Sequence, residues 1–323
     1  MKMLRSILYF MTACMLCLAV YTFMGYRDSV AVKDEAPVVM SYTVSPKLPS
    51  TVQFCGQNID ISRYNMKEGL DRELSSFTYL HSSTMLLIKR ANRYFPIIEP
   101  ILKANGIPDD FKYLAVIESN LDPKITSPAK AVGLWQIMEG TGRGYGLRIT
   151  PTVDERRNVA KSTEAACKYL KEAYNKYGDW LMAAVSYNAG MGRVSGQVRQ
   201  QGESSILNMH FVEETTRYPY RILAIKQIFE NPYKYGFVLS PENLYAPIDC
   251  VEITVDKDIA DLAAFAREQG ITYFDLKFFN PWLKDTKLLI GGVKYNILIP
   301  NKNKLHYNNS NPYVHDKRWT VKN

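Results

Sequence analysis

The chain has 323 residues, 46% of them hydrophobic and 22% charged, with a formal net charge of +8. This composition excludes a disordered polypeptide, and the length allows about two domains with a sizeable core. The positive charge does not mark a nucleic-acid surface, because two of the eight charges are Lys2 and Arg5, four lie in the tail after Pro300, and only two remain for the body, without a nucleic-acid motif.

Residues 1–25 open with Lys2 and Arg5 and run uncharged from Ile7 to Met24, the pattern of an export signal that is either cleaved or kept as a membrane anchor. A lipoprotein reading around Cys14 fits less well, since Met11 and the short run before it are unsuited to one. An exported chain of this kind belongs in the periplasm or cell envelope. Residues 26–57, punctuated by Pro37, Pro46 and Pro49 and lacking a sustained period, read as a linker. From Asn58 the pattern turns helical: Leu70, Leu74, Phe77 and Leu80 step by three and four, and apolar positions continue through Ile98 until Asn105-Gly106.

A short helix is expected next, begun by Ile107-Pro108-Asp109 and stopped before Pro123. Phe111, Leu114, Ala115 and Glu118 fall on one stripe of it, and Tyr113, Val116 and Ile117 make most of the remaining surface apolar. Glu118 then sits in the last turn, where desolvation and the negative end of the helix dipole both disfavour its ionised form. A carboxyl held protonated near neutral pH is a candidate general acid, the alternative being a structural Glu neutralised by a neighbouring Arg or Lys.

Gly133–Met138 follows a loop; Gly133 permits a tight backbone, Trp135 has a flat apolar face suited to a sugar ring, although Trp among aliphatic residues is more often core, and Gln136 has both a donor and an acceptor. The alternating Gly140, Gly142, Gly144 and Gly146 do not make a phosphate loop, because no strand leads in and no Gly-Lys-Ser/Thr ends the run. Helices are expected at about 159–176 and from the N-cap Asp179 to Gly190, which leaves Tyr187 and Asn188 at a helix terminus. The segment Glu214–Phe229 reads as a polar loop around Tyr218 that resolves into a helix, so 58–235 is all-α. Further on, strand Ile248–Val255, helices Asp258–Gln269 and Tyr273–Phe279 and strand Tyr295–Ile299 form a small βααβ unit. Cys55, Cys167 and Cys250 match no metal motif and no disulfide framework, although a Cys55–Cys250 bridge is allowed. The expected division is a signal or anchor at 1–25, a linker at 26–57, an all-α domain at 58–240, an α+β domain at 246–300 and a basic tail at 301–323.

Taken together and in this order, Glu118-Ser119, Gly133–Met138 and Ser186–Gly190 resemble the lytic transglycosylases of the soluble-lytic-transglycosylase type, and more closely the membrane-bound lytic murein transglycosylase D group, over about Asn58–Pro300. Two departures stand out: Ser186 replaces the usual Ala, and Thr216-Arg217-Tyr218-Pro219-Tyr220 stands where Arg-Asn-Tyr-Val-Pro is usual. The resemblance implies a lysozyme-like all-α catalytic domain followed by a LysM-like glycan-binding domain, acting on peptidoglycan glycan strands without cofactor or metal. It puts the catalytic acid at Glu118 and the substrate cleft at Ser119, Gln136, Tyr187, Asn188 and Tyr218. It also implies the reaction: Glu118 protonates the bond between N-acetylmuramic acid and N-acetylglucosamine, then accepts the muramoyl 6-hydroxyl proton as a 1,6-anhydro ring closes. Two rivals stand beside it. One is a hydrolase resembling goose-type lysozyme, which needs a second carboxylate such as Asp122 or Asp154 to activate water. The other is a non-catalytic wall-binding scaffold, against which an intact Glu118-Ser119 argues.

Overall fold

The computed structural model describes residues 44–307 and 312–321. The signal or anchor reading of 1–25 lies outside these residues. No helix among the described residues is long and apolar enough to cross a membrane.

The first elements correct the linker. Strands β1 (Thr51–Phe54) and β2 (Gln57–Asp60) pair antiparallel with Phe54 opposite Gln57. The two residues between them, Cys55 and Gly56, both have positive φ (49° and 81°), the geometry of a tight primed hairpin turn. Val52, Phe54 and Ile61 are buried, the Phe54 ring lies 5.8 Å from that of Phe111, and the Cys55 N–H donates to Asp110 Oδ2 at 2.7 Å. A strand of four residues is too short for its alternation to stand out against a loop.

Helices α1 (Tyr64–Tyr79) and α2 (His81–Ala104) follow. A 3₁₀ turn, Asp109–Phe111, leads into α3 (Lys112–Ser119), which stops at Asn120 because that residue takes a left-handed conformation, φ 54°. Every residue of 111–119 is buried except Glu118, which keeps partial exposure. The glycine-rich run forms α4 (Glu139–Gly144). Helix α5 (Val159–Tyr177) is capped by Asn158, and α6 (Trp180–Ala189) by Asp179, whose side chain accepts from the Met182 N–H at 2.6 Å. After α7 (Met191–Gln201), α8 (Glu213–Glu230) begins earlier than expected and places Tyr218 within a helix rather than in a loop. Its polar first turn reads as a loop in sequence, yet Glu213 and Glu214 favour the positive end of the helix dipole.

The C-terminal unit has β3 (Cys250–Val255) paired antiparallel with β4 (Tyr295–Pro300), with α9 (Leu262–Glu268) and α10 (Tyr273–Phe279) between them in sequence. It is welded to the helical domain. Val153 belongs to its apolar core, Asp154 N–H donates to the Trp282 carbonyl at 2.9 Å, and Lys284 N–H to that of Thr152 at 2.9 Å. The basic tail is also corrected in part. Residues 312–321 return to the helical domain, where buried Trp319 donates to the Phe229 carbonyl at 3.0 Å and His315 N–H donates to Asn92 Oδ1 at 2.8 Å. Cys55, Cys167 and Cys250 are free thiols.

Candidate active site

Helix α3 holds Glu118 at its open end, and α8 crosses beside it. The Tyr218 hydroxyl, itself almost fully buried, donates to Glu118 Oε1 at 2.5 Å. Burial is the largest influence on the Glu118 carboxyl and pushes it up to about 7; the Tyr218 hydrogen bond and the Arg221 guanidinium pull down, while Glu214 pushes up. The carboxyl can therefore carry a proton at neutral pH and, once ionised, finds a donor and a cation at hand.

The Gly133–Met138 loop, tied to α3 through Ser119, is fixed by small contacts. Gly133 has φ 81°, and a Cβ there would stand 2.0 Å from the Arg156 carbonyl oxygen, so no other residue fits. Gln136 also has positive φ (47°) and donates through Nε2 to the Gly133 carbonyl at 2.8 Å, while its amide oxygen remains able to accept. Buried Arg156 chelates Asp154 and donates to the carbonyls of Lys130 and Ile137, tying both ends of the loop.

Two residues of this region are buried. Ser119 is 1% exposed and donates to the Leu134 carbonyl at 2.7 Å, so it braces the loop against α3. Trp135 is fully buried, and its Nε1 donates to Thr163 Oγ1 at 2.8 Å; it is core, not a sugar platform. The extended apolar character of its neighbours is what draws it inward.

Tyr187 and Asn188 lie in the last turn of α6. The Tyr187 hydroxyl donates to the Trp135 carbonyl at 2.8 Å and feels the Glu118 charge, although burial is the main reason its pKa lies well above the usual phenol range. Tyr169 packs edge-on against Tyr187, centroids 5.2 Å apart, and donates to the Ser186 carbonyl at 2.5 Å. Asn188 Oδ1 accepts from Thr215 Oγ1 at 3.2 Å, joining α6 to α8. The reading from sequence missed Arg221 and Glu214. Glu214, Tyr218 and Arg221 are spaced i, i+4 and i+7, so the stripe was available to anyone who began the helix at Glu213.

Residues 95–210 match the family model described as Transglycosylase SLT domain, and residues 251–303 match that of the Soluble lytic transglycosylase C-terminal LysM-like domain. The chain thus carries a transglycosylase SLT domain followed by a LysM-like domain, in keeping with the mainly helical first part and the small α+β second. The membrane-bound lytic murein transglycosylase D of Escherichia coli is 32% identical over 242 residues, covering 73% of this chain and 52% of that protein. The peptidoglycan transglycosylase gp16 of Escherichia phage T7 is 34% identical over 104 residues, covering 31% of this chain and 8% of that protein. The chain spans about half the length of the first of these relatives and a small part of the second. Among solved structures, the 70 kDa soluble lytic transglycosylase of Escherichia coli aligns with a TM-score of 0.40 at 19% identity, covering 54% of this chain and 31% of that one. Tyr218, Arg221 and Glu214 all lie beyond the matched span of the SLT domain.

Proposed function

We propose that the chain is a peptidoglycan lytic transglycosylase that cuts the β-1,4 bond between N-acetylmuramic acid and N-acetylglucosamine and leaves a 1,6-anhydromuramoyl end. The observation that carries this reading is one carboxyl, Glu118, raised to about 7 by burial and hydrogen-bonded to Tyr218. As an acid, Glu118 gives its proton to the glycosidic oxygen. The resulting carboxylate is stabilised by the Tyr218 hydroxyl and Arg221, and it takes the proton of the muramoyl 6-hydroxyl as that oxygen closes on the anomeric carbon. The nucleophile is part of the bound substrate and is delivered at high effective concentration. Gln136, Tyr187 and Asn188 hold the ring and its N-acetyl group in the reactive pose. The LysM-like domain retains the glycan strand, which places the enzyme at the cell wall.

A hydrolase is the second reading, and one observation keeps it in play. Asp154 is closed off by Arg156, and Asp122 accepts from the Lys124 N–H at 2.9 Å, but exposed Glu214 lies near enough to act on Glu118. A water activated by Glu214 would yield a reducing muramoyl end. Mass spectrometry of fragments released from peptidoglycan, with and without borohydride, separates the two: anhydro ends lighter by one water and inert to borohydride support the transglycosylase, while reducible ends carrying oxygen from labelled water support the hydrolase.

A further inference from the structure

The turn from Ile149 to Asp154 is shared by the helical domain and the C-terminal unit. It lies inside the span matched to the SLT domain, yet Val153 is fully buried in the core of the C-terminal unit and bridges to Leu283. The Thr152 carbonyl accepts from the Lys284 N–H at 2.9 Å, Thr152 Oγ1 from the Leu289 N–H at 3.3 Å, and the Thr150 carbonyl from Lys284 Nζ at 3.2 Å. Arg148 and Lys161 of the helical domain lie over the ring of buried Tyr295, 5.8 and 5.6 Å from its centroid. A module tethered only by a flexible linker would make none of these contacts.

Asp154 carries this attachment to the catalytic side. Its N–H donates to the Trp282 carbonyl at 2.9 Å, while its carboxylate accepts from Arg156 Nε at 2.9 Å and Nη2 at 2.8 Å. Held at two points, the guanidinium turns its remaining nitrogen to the Lys130 and Ile137 carbonyls, both at 3.2 Å. Asp154 and Arg156 are 3% and 6% exposed. A buried ion pair is seldom more stabilising than well-packed apolar side chains of the same volume, so what it adds here is direction. The two carbonyl contacts stand at the long end of the hydrogen-bond range, and a small shift of Asp154 releases them. Gln136 adjoins Ile137 in that loop, and the Leu134 carbonyl of the same loop accepts from Ser119, the neighbour of Glu118.

We propose that the LysM-like unit is a working part of the active site and not only a wall tether: by fixing Asp154 it orients Arg156, and through Arg156 it sets the position of Gln136. Asp154 and Arg156 are then positioning residues, and cleavage of even a short glycan that fills only the cleft depends on the docked C-terminal unit. The role of Gln136 in this scheme rests on the lytic transglycosylase reading; the mechanical link does not.

The test uses the full chain and three variants. Val153→Ala and Thr152→Val loosen the seam from the C-terminal side, and Arg156→Lys keeps a charge beside Asp154 but lacks the fork. Hydrogen exchange is followed peptide by peptide by mass spectrometry, with the Val132 and Ile137 N–H groups, which donate to each other's carbonyls at 3.1 Å, as reporters of the loop. Peptides covering 130–138 are expected to exchange about tenfold faster in Val153→Ala and Arg156→Lys, the effect of one lost hydrogen bond, and to a smaller extent in Thr152→Val, while those of α1 and α7 keep their parent rates. On a short soluble glycan, kcat is expected to fall about tenfold in Val153→Ala and Arg156→Lys with KM near the parent value, because the binding groups remain and only the reactive alignment is lost. Loop peptides at the parent rate in the seam variants, or accelerated no more than α1 and α7, reduce Asp154 and Arg156 to structural residues and overturn the proposal. An unchanged kcat beside a loosened loop overturns it too. Where Val153→Ala does not fold, Thr152→Val carries the same comparison. If the parent cuts no glycan, the transglycosylase reading fails on its own, and loop exchange in the seam variants alone supports or overturns the link.

Discussion

The hydroxyl of Tyr218 reaches Glu118 from 100 residues along the chain and donates to its carboxylate at 2.5 Å. Tyr218 is supplied by α8 and Glu118 by α3, so the acid is tuned at a crossing of two helices. Burial raises its pKa and Tyr218 limits the rise. Four predictions rest on this arrangement and on what surrounds it.

Replacing Glu118 by Gln is expected to abolish wall-lytic activity and to stabilise the fold at alkaline pH. The carboxyl is raised in the folded state from 4.5 to about 7, so the folded chain holds its proton more tightly than the unfolded chain. The benefit of that protonation is complete below about 4.5 and is lost as pH climbs towards 7. Above that, the ionised buried carboxylate costs on the order of 3 kcal/mol. Denaturant unfolding of both proteins at pH 4.5 and pH 8 checks it: the variant should gain on the parent only at the higher pH. Substantial activity in a folded Glu118→Gln variant removes Glu118 from the role of acid.

Tyr218→Phe deletes the donor that favours the ionised form, and Glu118 should then titrate higher still. The alkaline limb of the kcat profile is expected to move up by about one pH unit, with a loss of about tenfold at the optimum because the carboxylate formed on proton donation is less well stabilised. A limb that stays in place shows that Tyr218 packs beside the acid without tuning it.

Ser119→Ala tests bracing against substrate contact. The change leaves the buried Leu134 carbonyl without its 2.7 Å partner and is expected to cost about 1–3 kcal/mol of stability. KM should stay near the parent value in a variant that is folded at the assay temperature. A raised KM with unchanged unfolding would restore Ser119 to the substrate cleft.

Removing residues 246–323 should destabilise the catalytic part as well as release it from the wall. The cut exposes Val153, which packs in the C-terminal core, and takes away Trp319, which is sealed against Phe95 and Phe229. Trp319→Ala alone is expected to cost about 3–5 kcal/mol. A truncated protein whose melting temperature equals that of the full chain would show that the tail merely rests on the surface.

Much of the fold was legible before any coordinates were known. The Glu118 helix, the Asp179 to Gly190 helix with both its caps and the βααβ order of the C-terminal unit follow from period, capping chemistry and turn residues within a few positions of one another. Those signals are local: a side chain on the wrong face or an unfilled cap is penalised whatever the rest of the chain does.

What sequence left open depends on which apolar face meets which. Periodicity says that Trp135 is apolar and that Tyr218 lies near a helix start, but only the packing of α3, α5, α6 and α8 puts the first in the core against Thr163 and the second on the Glu118 carboxyl. The same holds for Ser119 as a brace, the hairpin at 51–60, Val153 in the neighbouring core and the return of Trp319. Burial is read from a pattern along the chain, whereas the partner of a buried group is set by tertiary contacts between segments that the pattern does not connect. The fold class and a Glu118 carboxyl raised by burial were thus written in the sequence, while the groups that modulate it, Tyr218, Arg221 and Glu214, were decided by the tertiary structure, because all three act from across the interface with α8.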